Sequence, residues 1–281
     1  MRTLNIPKTS EQISDFIKTT VSAAGFQKVI VAVSGGVDSA TSLSLAVNAL
    51  SAANIHVLLL PYKDWHDEHK PHARLLLKRL QIPEKQTHEV DIAPMVDRMT
   101  LELNMTSANY SSSGAPSAIG VESRSDLKIR LGNIMARVRM IVLFDFAKKL
   151  HALVCGTENK SEHYLGYFTR FGDEASDLEP LRNLYKTEVY ELAKYLHVPE
   201  EILTKAPTAG LWTGQTDEGQ FGFSYKQADE VLYQLFDLNK SVADVIASGI
   251  SSETVSKVKQ WVDSVSFKHH LPNVAPEPVL S

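Results

Sequence analysis

The stretch that decides the fold is Val29-Ile-Val-Ala-Val-Ser34-Gly35-Gly36-Val37-Asp38-Ser39. Its β-branched residues predict a buried strand, and the small and apolar residues that follow predict a helix over 38–50. The two glycines between them allow a tight turn whose N–H groups face an anion at the positive end of the helix dipole. Asp38 would repel a phosphate unless a divalent cation lies between them. The stretch therefore predicts a phosphate site with a metal ion; an ordinary serine-capped turn is the plainer alternative.

The bulk composition narrows the class of protein. With 281 residues, 43% of them hydrophobic and 22% charged, the chain can bury the core of an α/β domain with a smaller appendage. A net charge of −4 does not support a broad nucleic-acid-binding surface. No signal peptide or run of membrane-spanning length is present, so we expect no membrane association. The single cysteine, Cys155, excludes an internal disulfide and favours a cytoplasmic location.

Strands and helices alternate along the first part of the chain. Strands are predicted at 29–33, 55–60, 88–92 and 152–155, and helices at 38–50, 72–80, 93–103, 125–150 and 186–196. This alternation predicts an α/β fold with a parallel sheet flanked by helices on both faces. The first strand should be central, so the binding crevice should lie at its carboxyl end.

The domain organisation is predicted from composition along the chain. We expect one domain over 1–281, with an α/β core over 1–223, helices over 224–270 and an extended tail over 271–281. The C-terminal helices are predicted at 224–237, 241–247 and 252–265. Two long Gly/Ser/Thr-rich loops, near 106–125 and 205–223, are predicted to act as lids.

Three features of the sequence have more than one interpretation. The broad apolar content of Met140–Phe146 indicates either a helix buried on several sides or a contact between subunits. His66, His69 and His72 recur every third residue, and a solvated loop is favoured over a metal cluster. Cys155 lies in an apolar strand, which predicts a buried, unreactive thiol.

A second polar segment follows the strand at 152–155. Gly156-Thr157-Glu-Asn-Lys-Ser-Glu162 places a hydroxyl and a carboxylate at the carboxyl end of that strand. Glu162 would complete a magnesium site with Asp38 if the two strands are neighbours. The alternative is that Glu162 is an acid favoured by the dipole at a helix start.

The ordered set of motifs resembles a known family. Ser-Gly-Gly-x-Asp-Ser lacks the lysine of the Walker loop and resembles the pyrophosphate loop of ATP pyrophosphatases, which cleave ATP into AMP and pyrophosphate. Together with it, the later motifs resemble those of ammonia-dependent NAD synthetases. They are, in order, Arg130-Leu-Gly-Asn-Ile-Met-Ala-Arg137, Gly156–Glu162, Phe168-Thr-Arg-Phe-Gly-Asp173, Leu184-Tyr-Lys186, Lys205-Ala-Pro-Thr208-Ala-Gly and Gly214-Gln-Thr-Asp-Glu218.

The resemblance implies a role for each matching residue. It implies a fold like that of the adenine-nucleotide α-hydrolases, and a homodimer with the dinucleotide site across the subunit interface. The implied ATP contacts are Ser34, Gly35, Gly36, Val37, Asp38, Ser39, Thr157, Lys186 and Thr208. The implied deamido-NAD contacts are Arg137, Arg170, Asp177 and Lys268, and the implied Mg²⁺ ligands are Asp38 and Glu162. Arg170, Glu174 and Phe267 depart from the family pattern, which has lysine, glycine and histidine there.

The implied reaction amidates deamido-NAD with ammonia. ATP would activate the carboxylate as an acyl-adenylate, with Lys186 adding positive charge at the pyrophosphate and Asp173 the candidate to accept the ammonium proton. We expect free ammonia as donor, because the sole cysteine lies mid-chain in a strand. The alternatives are a tRNA-modifying enzyme, which usually has basic surface and further cysteines, and a nucleotide-binding regulator, which has no use for a metal pair.

Overall fold

A computed structural model describes residues 2–63, 65–103, 105, 124–208, 216–269 and 274–276, without the side chains of 65–68 and 124–125. Most of the first predicted lid, the 209–215 part of the second lid and most of the predicted tail lie outside these residues. The division into core, lids and C-terminal helices therefore stays a prediction. Within the described part of the chain, no helix combines the length and the apolar character needed to cross a membrane.

The centre of the fold is a sheet of four parallel strands in the order β3-β2-β1-β4. The strands are β1 Val29–Ala32, β2 Ile55–Leu59, β3 Thr87–Glu89 and β4 Leu153–Val154. Val29 is in register with Ile55 on one side and with Leu153 on the other. The predicted fold class and the predicted interior position of the first strand are confirmed, and β1 and β4 are neighbours.

Twelve α-helices are present in the described residues. They are α1 Ile6–Ala23, α2 Val37–Leu50, α3 Trp65–Arg79, α4 Ala93–Glu102, α5 Arg124–Leu150, α6 Lys160–Tyr164, α7 Lys186–Tyr195, α8 Glu200–Leu203, α9 Asp217–Phe221, α10 Tyr225–Leu232, α11 Val242–Ala247 and α12 Ser252–Val265. Sequence reasoning missed α1, although Asn5 caps it and Pro7 lies in its first turn. The predicted helix over 224–237 is divided, because a π-helical turn, Tyr233–Asp237, follows α10.

Helices cover both faces of the sheet because successive residues of a strand point in opposite directions. Val29 and Val31 pack into a core with α1, α2 and α7. Ile30 points the other way and packs with α4 and α5. A third core joins α10 and α12 to Leu165 and Tyr185, and it holds the C-terminal helices against the edge of the site.

The prediction of a solvated loop at the three histidines is wrong, because α3 begins at Trp65 and carries His66, His69 and His72. Pro71 lies inside this helix, and proline usually marks a helix boundary, so the pattern indicated too late a start. Among the described side chains, which exclude His66, no group of three or more His, Cys, Asp or Glu residues is placed to hold a metal ion.

Candidate active site

The turn between β1 and α2 forms a cradle of backbone and hydroxyl donors. Gly35 has φ +83°, and a Cβ atom there would lie 2.5 Å from the carbonyl oxygen of His69 on α3. The Ser34 N–H donates to Ser39 Oγ at 3.3 Å, and Ser39 Oγ donates to the carbonyl oxygen of Gly36 at 3.0 Å. Gly35 therefore needs to be glycine both for its backbone angle and for its close approach to α3.

Lys186 lies at the start of α7 and joins the two acids that the sequence assigns to a metal. Its Nζ is 2.5 Å from Asp38 Oδ2 and 3.0 Å from Glu162 Oε1. The Lys186 side chain is only 3% exposed, while each carboxylate keeps 17% exposure. Two carboxylates thus converge on one cation at the open edge of the phosphate loop.

Asn159 ties the two halves of this arrangement together, and sequence reasoning did not single it out. Its Nδ2 donates to Asp38 Oδ1 at 2.8 Å. Its Oδ1 accepts from the N–H of Glu162 at 2.9 Å, while Glu162 Oε2 accepts from the N–H of Asn159 at 3.3 Å. This is a capping box at the start of α6, so the Asn-x-x-Glu spacing was a usable signal.

The charges of this group shift its pKa values. Burial, the largest influence on Lys186, lowers its pKa, but Asp38, Glu162 and the nearby Asp217 outweigh it and hold the pKa well above its ordinary value. Burial and then the charge of Asp38 raise the pKa of Glu162. Lys186 therefore stays a cation, and a second cation next to Glu162 would favour its ionised form.

Asp229 of α10 anchors the backbone that carries these groups. Its Oδ1 accepts from Ser161 Oγ at 2.5 Å, and its Oδ2 accepts from the N–H of Thr187 at 2.9 Å. Ser161 Oγ in turn accepts from the N–H of Lys186 at 2.8 Å. Asp229 is fully buried, so it fixes the first turns of α6 and α7 to each other.

A cavity of about 470 Å³ opens beside the phosphate loop. The sequence-predicted residues that line it are Ser34, Gly36, Val37, Asp38, Ser39, Thr157, Glu162, Asp173, Lys186, Thr208 and Lys268. The structure therefore brings most of the proposed ATP contacts, both proposed metal ligands and both proposed catalytic residues around one space. Their roles stay predictions.

Asp173 stands on the wall of this cavity at the end of a tight turn. Its Oδ1 accepts from the N–H of Thr169 at 2.8 Å, and Thr169 Oγ1 donates to Asn133 Oδ1 of α5 at 2.8 Å. Asp173 as a whole residue is exposed, yet the protein atoms crowded around its carboxyl group raise the pKa of that group. Lys268 closes the same end, where Nζ donates to the carbonyl oxygens of Gly166 at 2.6 Å and Phe168 at 2.8 Å.

Three residues assigned to deamido-NAD do not line the cavity. Arg137 is exposed and its Nε donates to the carbonyl oxygen of Arg170 at 3.2 Å. The Arg170 guanidinium lies over the rings of Phe171 and Phe267, 5.6 and 5.8 Å from their centroids. Asp177 Oδ2 accepts from the N–H of Val154 at 2.7 Å. Their predicted role in binding the dinucleotide is thus not supported by contact with this cavity, and it stays a prediction.

A buried acid next to Thr157 in the chain and its ion pair were also not predicted from the sequence. Arg182 Nη2 lies 2.8 Å from Glu158 Oε2, and Glu158 is 5% exposed. Burial raises the pKa of Glu158 to about 8 despite the opposing charge of Arg182. The pair braces the segment that presents Thr157 to the cavity, and a Gly-Thr-Glu pattern alone gives no sign of its partner.

The predicted state of Cys155 is confirmed. The residue is 1% exposed, and its Sγ lies 3.5 Å from Ser42 Oγ. Burial raises the pKa of the thiol to about 12, so it does not form a thiolate at neutral pH.

The fold is of the α/β class, with a parallel sheet. The site has a glycine turn, paired carboxylates and a buried lysine near the carboxyl ends of β1 and β4, an arrangement typical of nucleotide-binding proteins. The sequence pattern of the NAD synthase family matches residues 9–272. The chain belongs to the NAD synthase family, and it is an enzyme of NAD synthesis. The family and the kind of enzyme predicted from the motifs are confirmed.

Individual proteins are similar to the chain over nearly its full length. The chain is 36% identical over 272 residues to the NH(3)-dependent NAD(+) synthetase of Fusobacterium nucleatum subsp. nucleatum, covering 97% of this chain and 96% of the relative. A solved NH3-dependent NAD synthetase from Campylobacter jejuni has a TM-score of 0.74 at 27% identity, covering 97% and 100%. An NMN synthetase from Francisella tularensis has a TM-score of 0.76 at 28% identity, covering 97% and 99%.

Proposed function

We propose that this chain uses ATP to amidate deamido-NAD with ammonia, giving NAD, AMP and pyrophosphate. The observation that carries the proposal is the convergence of Asp38, Glu162 and Lys186 beside the phosphate loop. The ammonia dependence of the relatives supports the choice of nitrogen donor. The single buried thiol suits a reducing compartment, so we propose the cytoplasm as the location.

The donor set fits Mg²⁺ together with ATP. Asp38 and Glu162 both contact Lys186 Nζ, so their carboxylates lie close enough together to share a metal ion as well. Magnesium takes one or two protein carboxylates and completes its shell with phosphate oxygens and water, so two acids are sufficient. When bound, the ion would neutralise charge that develops on the leaving pyrophosphate.

The first chemical step activates the substrate carboxylate. A carboxylate oxygen attacks the α-phosphorus, the bond from that phosphorus to the bridging oxygen breaks, and pyrophosphate leaves. Residues 34–39 would hold the pyrophosphate through backbone N–H groups and hydroxyls, and Lys186 would add a fixed positive charge. Ser34 N–H, Gly36 N–H and Ser39 Oγ now donate within the loop, so binding would exchange these bonds for bonds to phosphate oxygens.

The second step forms the amide. Ammonium must lose a proton before its nitrogen attacks the activated carbonyl carbon. The nitrogen then loses a second proton to solvent as AMP leaves and the amide forms. Asp173 is the proposed acceptor because it faces the cavity and its raised pKa makes it a better base than an ordinary aspartate. The neighbouring Lys268 would hold the turn that carries Asp173 through its bonds to Gly166 and Phe168.

The products of ATP test the reaction class. With deamido-NAD and ammonium, we expect one AMP and one pyrophosphate for each NAD formed, because the loop and Lys186 hold a two-phosphate leaving group. Coupled assays for AMP and pyrophosphate, with ADP and phosphate measured in the same sample, check this. ADP and phosphate in a one-to-one ratio with product would contradict the proposal.

The nitrogen source is tested with Cys155→Ala. We expect this variant to keep most of its ammonia-dependent turnover, because the thiol is buried and unreactive, at a stability cost of about 1 kcal/mol for the lost packing. Turnover with ammonium and with glutamine, each measured for the purified chain and the variant, checks this. Efficient use of glutamine that disappears in Cys155→Ala would overturn the choice of ammonia.

We further propose that the chain forms a two-fold homodimer through α5. This helix packs Val138 and Val142 against the sheet, yet Ile129 and Ile141 are 49% and 59% exposed. Exposed isoleucines on a helix that is already buried on one side are typical of a subunit contact.

Replacing Ile141 with Glu tests the dimer. We expect the purified wild-type chain to have the mass of two chains and Ile141→Glu to have the mass of one, because a charge would be buried without a partner at the contact. Light scattering at micromolar concentration measures the mass. The control is Leu101→Glu, which places the same charge at an exposed leucine of a different helix, α4. A fully active wild-type monomer would rule out the proposed dimer.

The similarity to an NMN synthetase favours a second candidate substrate, the nicotinate mononucleotide. The 36% identity to an NAD synthetase favours the dinucleotide. The values of kcat/KM for the two acids, measured with equal ATP and ammonium, separate the candidates.

A further inference from the structure

A lysine and a histidine meet on the far side of the phosphate loop. Lys205 Nζ lies 3.1 Å from Nδ1 and 3.3 Å from Nε2 of His69, and both residues line the cavity. Lys205 follows α8 in the chain, while His69 belongs to α3. The carbonyl oxygen of His69 is the atom that excludes a side chain at Gly35. The pair therefore stands directly against the loop that is proposed to hold phosphate.

The charge balance at this end of the cavity calls for further positive charge. Lys186 faces Asp38 and Glu162, and the buried Asp217 also acts on it. One divalent cation and one lysine are largely offset by these three carboxylates, before the several negative charges of a triphosphate are added. Lys205 supplies another cation that lines the same cavity.

The chemistry of the pair suits a phosphate group. Phosphate oxygens only accept hydrogen bonds, and a lysine ammonium offers three donors as a compact point charge. One ring nitrogen of His69 can accept from Lys205 Nζ, and the other can carry the N–H that donates to an anion.

The direction of ATP in the cavity decides which phosphate this is. The α-phosphate must face the substrate carboxylate, which the proposed mechanism places towards Asp173. We place the terminal phosphate towards α3, because residues 34–39 are proposed to hold the pyrophosphate and His69 of α3 borders Gly35 in that loop. Resting on the proposed function, we propose that Lys205 and His69 form a site for the terminal phosphate of ATP, which afterwards holds the leaving pyrophosphate.

Binding of pyrophosphate is the direct test. Isothermal titration with inorganic pyrophosphate and Mg²⁺ measures Kd for the wild type, Lys205→Ala, His69→Ala and the conservative Lys205→Arg. Losing one charge-assisted hydrogen bond should weaken binding by about tenfold to a hundredfold in Lys205→Ala, and less in His69→Ala. Lys205→Arg should recover part of the loss. The KM for ATP should rise, while the KM for deamido-NAD should stay unchanged.

Two matched controls separate this role from a general loss of charge or of fold. Lys70→Ala removes a cation one residue after His69, where Lys70 Nζ pairs with Glu89 at 2.6 Å. Lys194→Ala removes an exposed cation from the last turn of α7. Both should keep the wild-type Kd for pyrophosphate, and the melting temperatures of all variants are recorded.

The outcomes distinguish the inference from the function on which it rests. An unchanged pyrophosphate Kd in Lys205→Ala and His69→Ala overturns the phosphate site while the synthetase reaction stands. The KM values for ATP and for deamido-NAD could instead rise equally, with a lowered melting temperature and no rescue by Lys205→Arg. That result overturns the phosphate site and shows that the Lys205–His69 bond only holds α3 to the segment after α8. If the wild type neither binds pyrophosphate nor forms AMP, the proposed function itself is wrong.

Discussion

Replacing Asp38 with Asn or Glu162 with Gln should lower the rate of AMP formation by about 10²–10³-fold each, because each change removes a charged ligand of the proposed Mg²⁺. The losses should not multiply in the double variant, because both carboxylates serve one cation position beside Lys186. The measurement is a double-mutant cycle on kcat/KM for ATP, repeated over a range of magnesium concentrations. Isosteric amides are used because truncation to alanine would also remove contacts.

The control for this cycle is Glu191→Gln, an exposed acid further along α7, which should keep wild-type turnover. From the sequence alone, both acids would be expected to matter little for folding. The structure changes that expectation, because Asp38 and Glu162 compensate a lysine that is 3% exposed. Two results would contradict the shared metal site: losses that simply multiply, or a Glu162→Gln variant with wild-type magnesium dependence. Either result would mean that Glu162 is only an acid at a helix start.

Lys186→Met should lower turnover by about 10²–10³-fold, because it removes the fixed positive charge that faces the leaving pyrophosphate. It should also lower the stability by about 2–4 kcal/mol, less than for a fully buried pair, because Asp38 and Glu162 keep some solvent contact. Turnover and the free energy of unfolding in denaturant measure the two effects separately.

Lys186→Arg is the informative companion variant. One nitrogen atom of Lys186 serves two carboxylates, and the planar guanidinium fork of arginine does not reproduce that contact. We expect Lys186→Arg to recover stability more than turnover. A variant that recovers full turnover would show that charge alone is needed, and an active Lys186→Met would remove Lys186 from the mechanism.

The local chemistry of the phosphate loop was predictable from the sequence. A strand, a two-glycine turn and a helix start are set by neighbouring residues, and the structure has Val37–Leu50 where a helix over 38–50 was predicted. Capping boxes also depend on residues close in sequence, and the Asn-x-x-Glu spacing could have predicted the one between Asn159 and Glu162. The sequence predicted too late a start for α3. Proline usually marks a helix boundary, but Pro71 lies inside this helix.

The sequence by itself determined the α/β class, the phosphate loop and the family, because these depend on spacing within short segments and on the order of motifs. Only the tertiary structure decided which distant groups meet. Lys186 contacts Asp38 across 148 positions, and Lys205 contacts His69 across 136. Such contacts depend on the placement of β4 beside β1 and on the packing of α3 and α7 around the loop. No local pattern of side chains encodes them, because their energy comes from burial and charge pairing that exist only once the sheet and its helices have assembled.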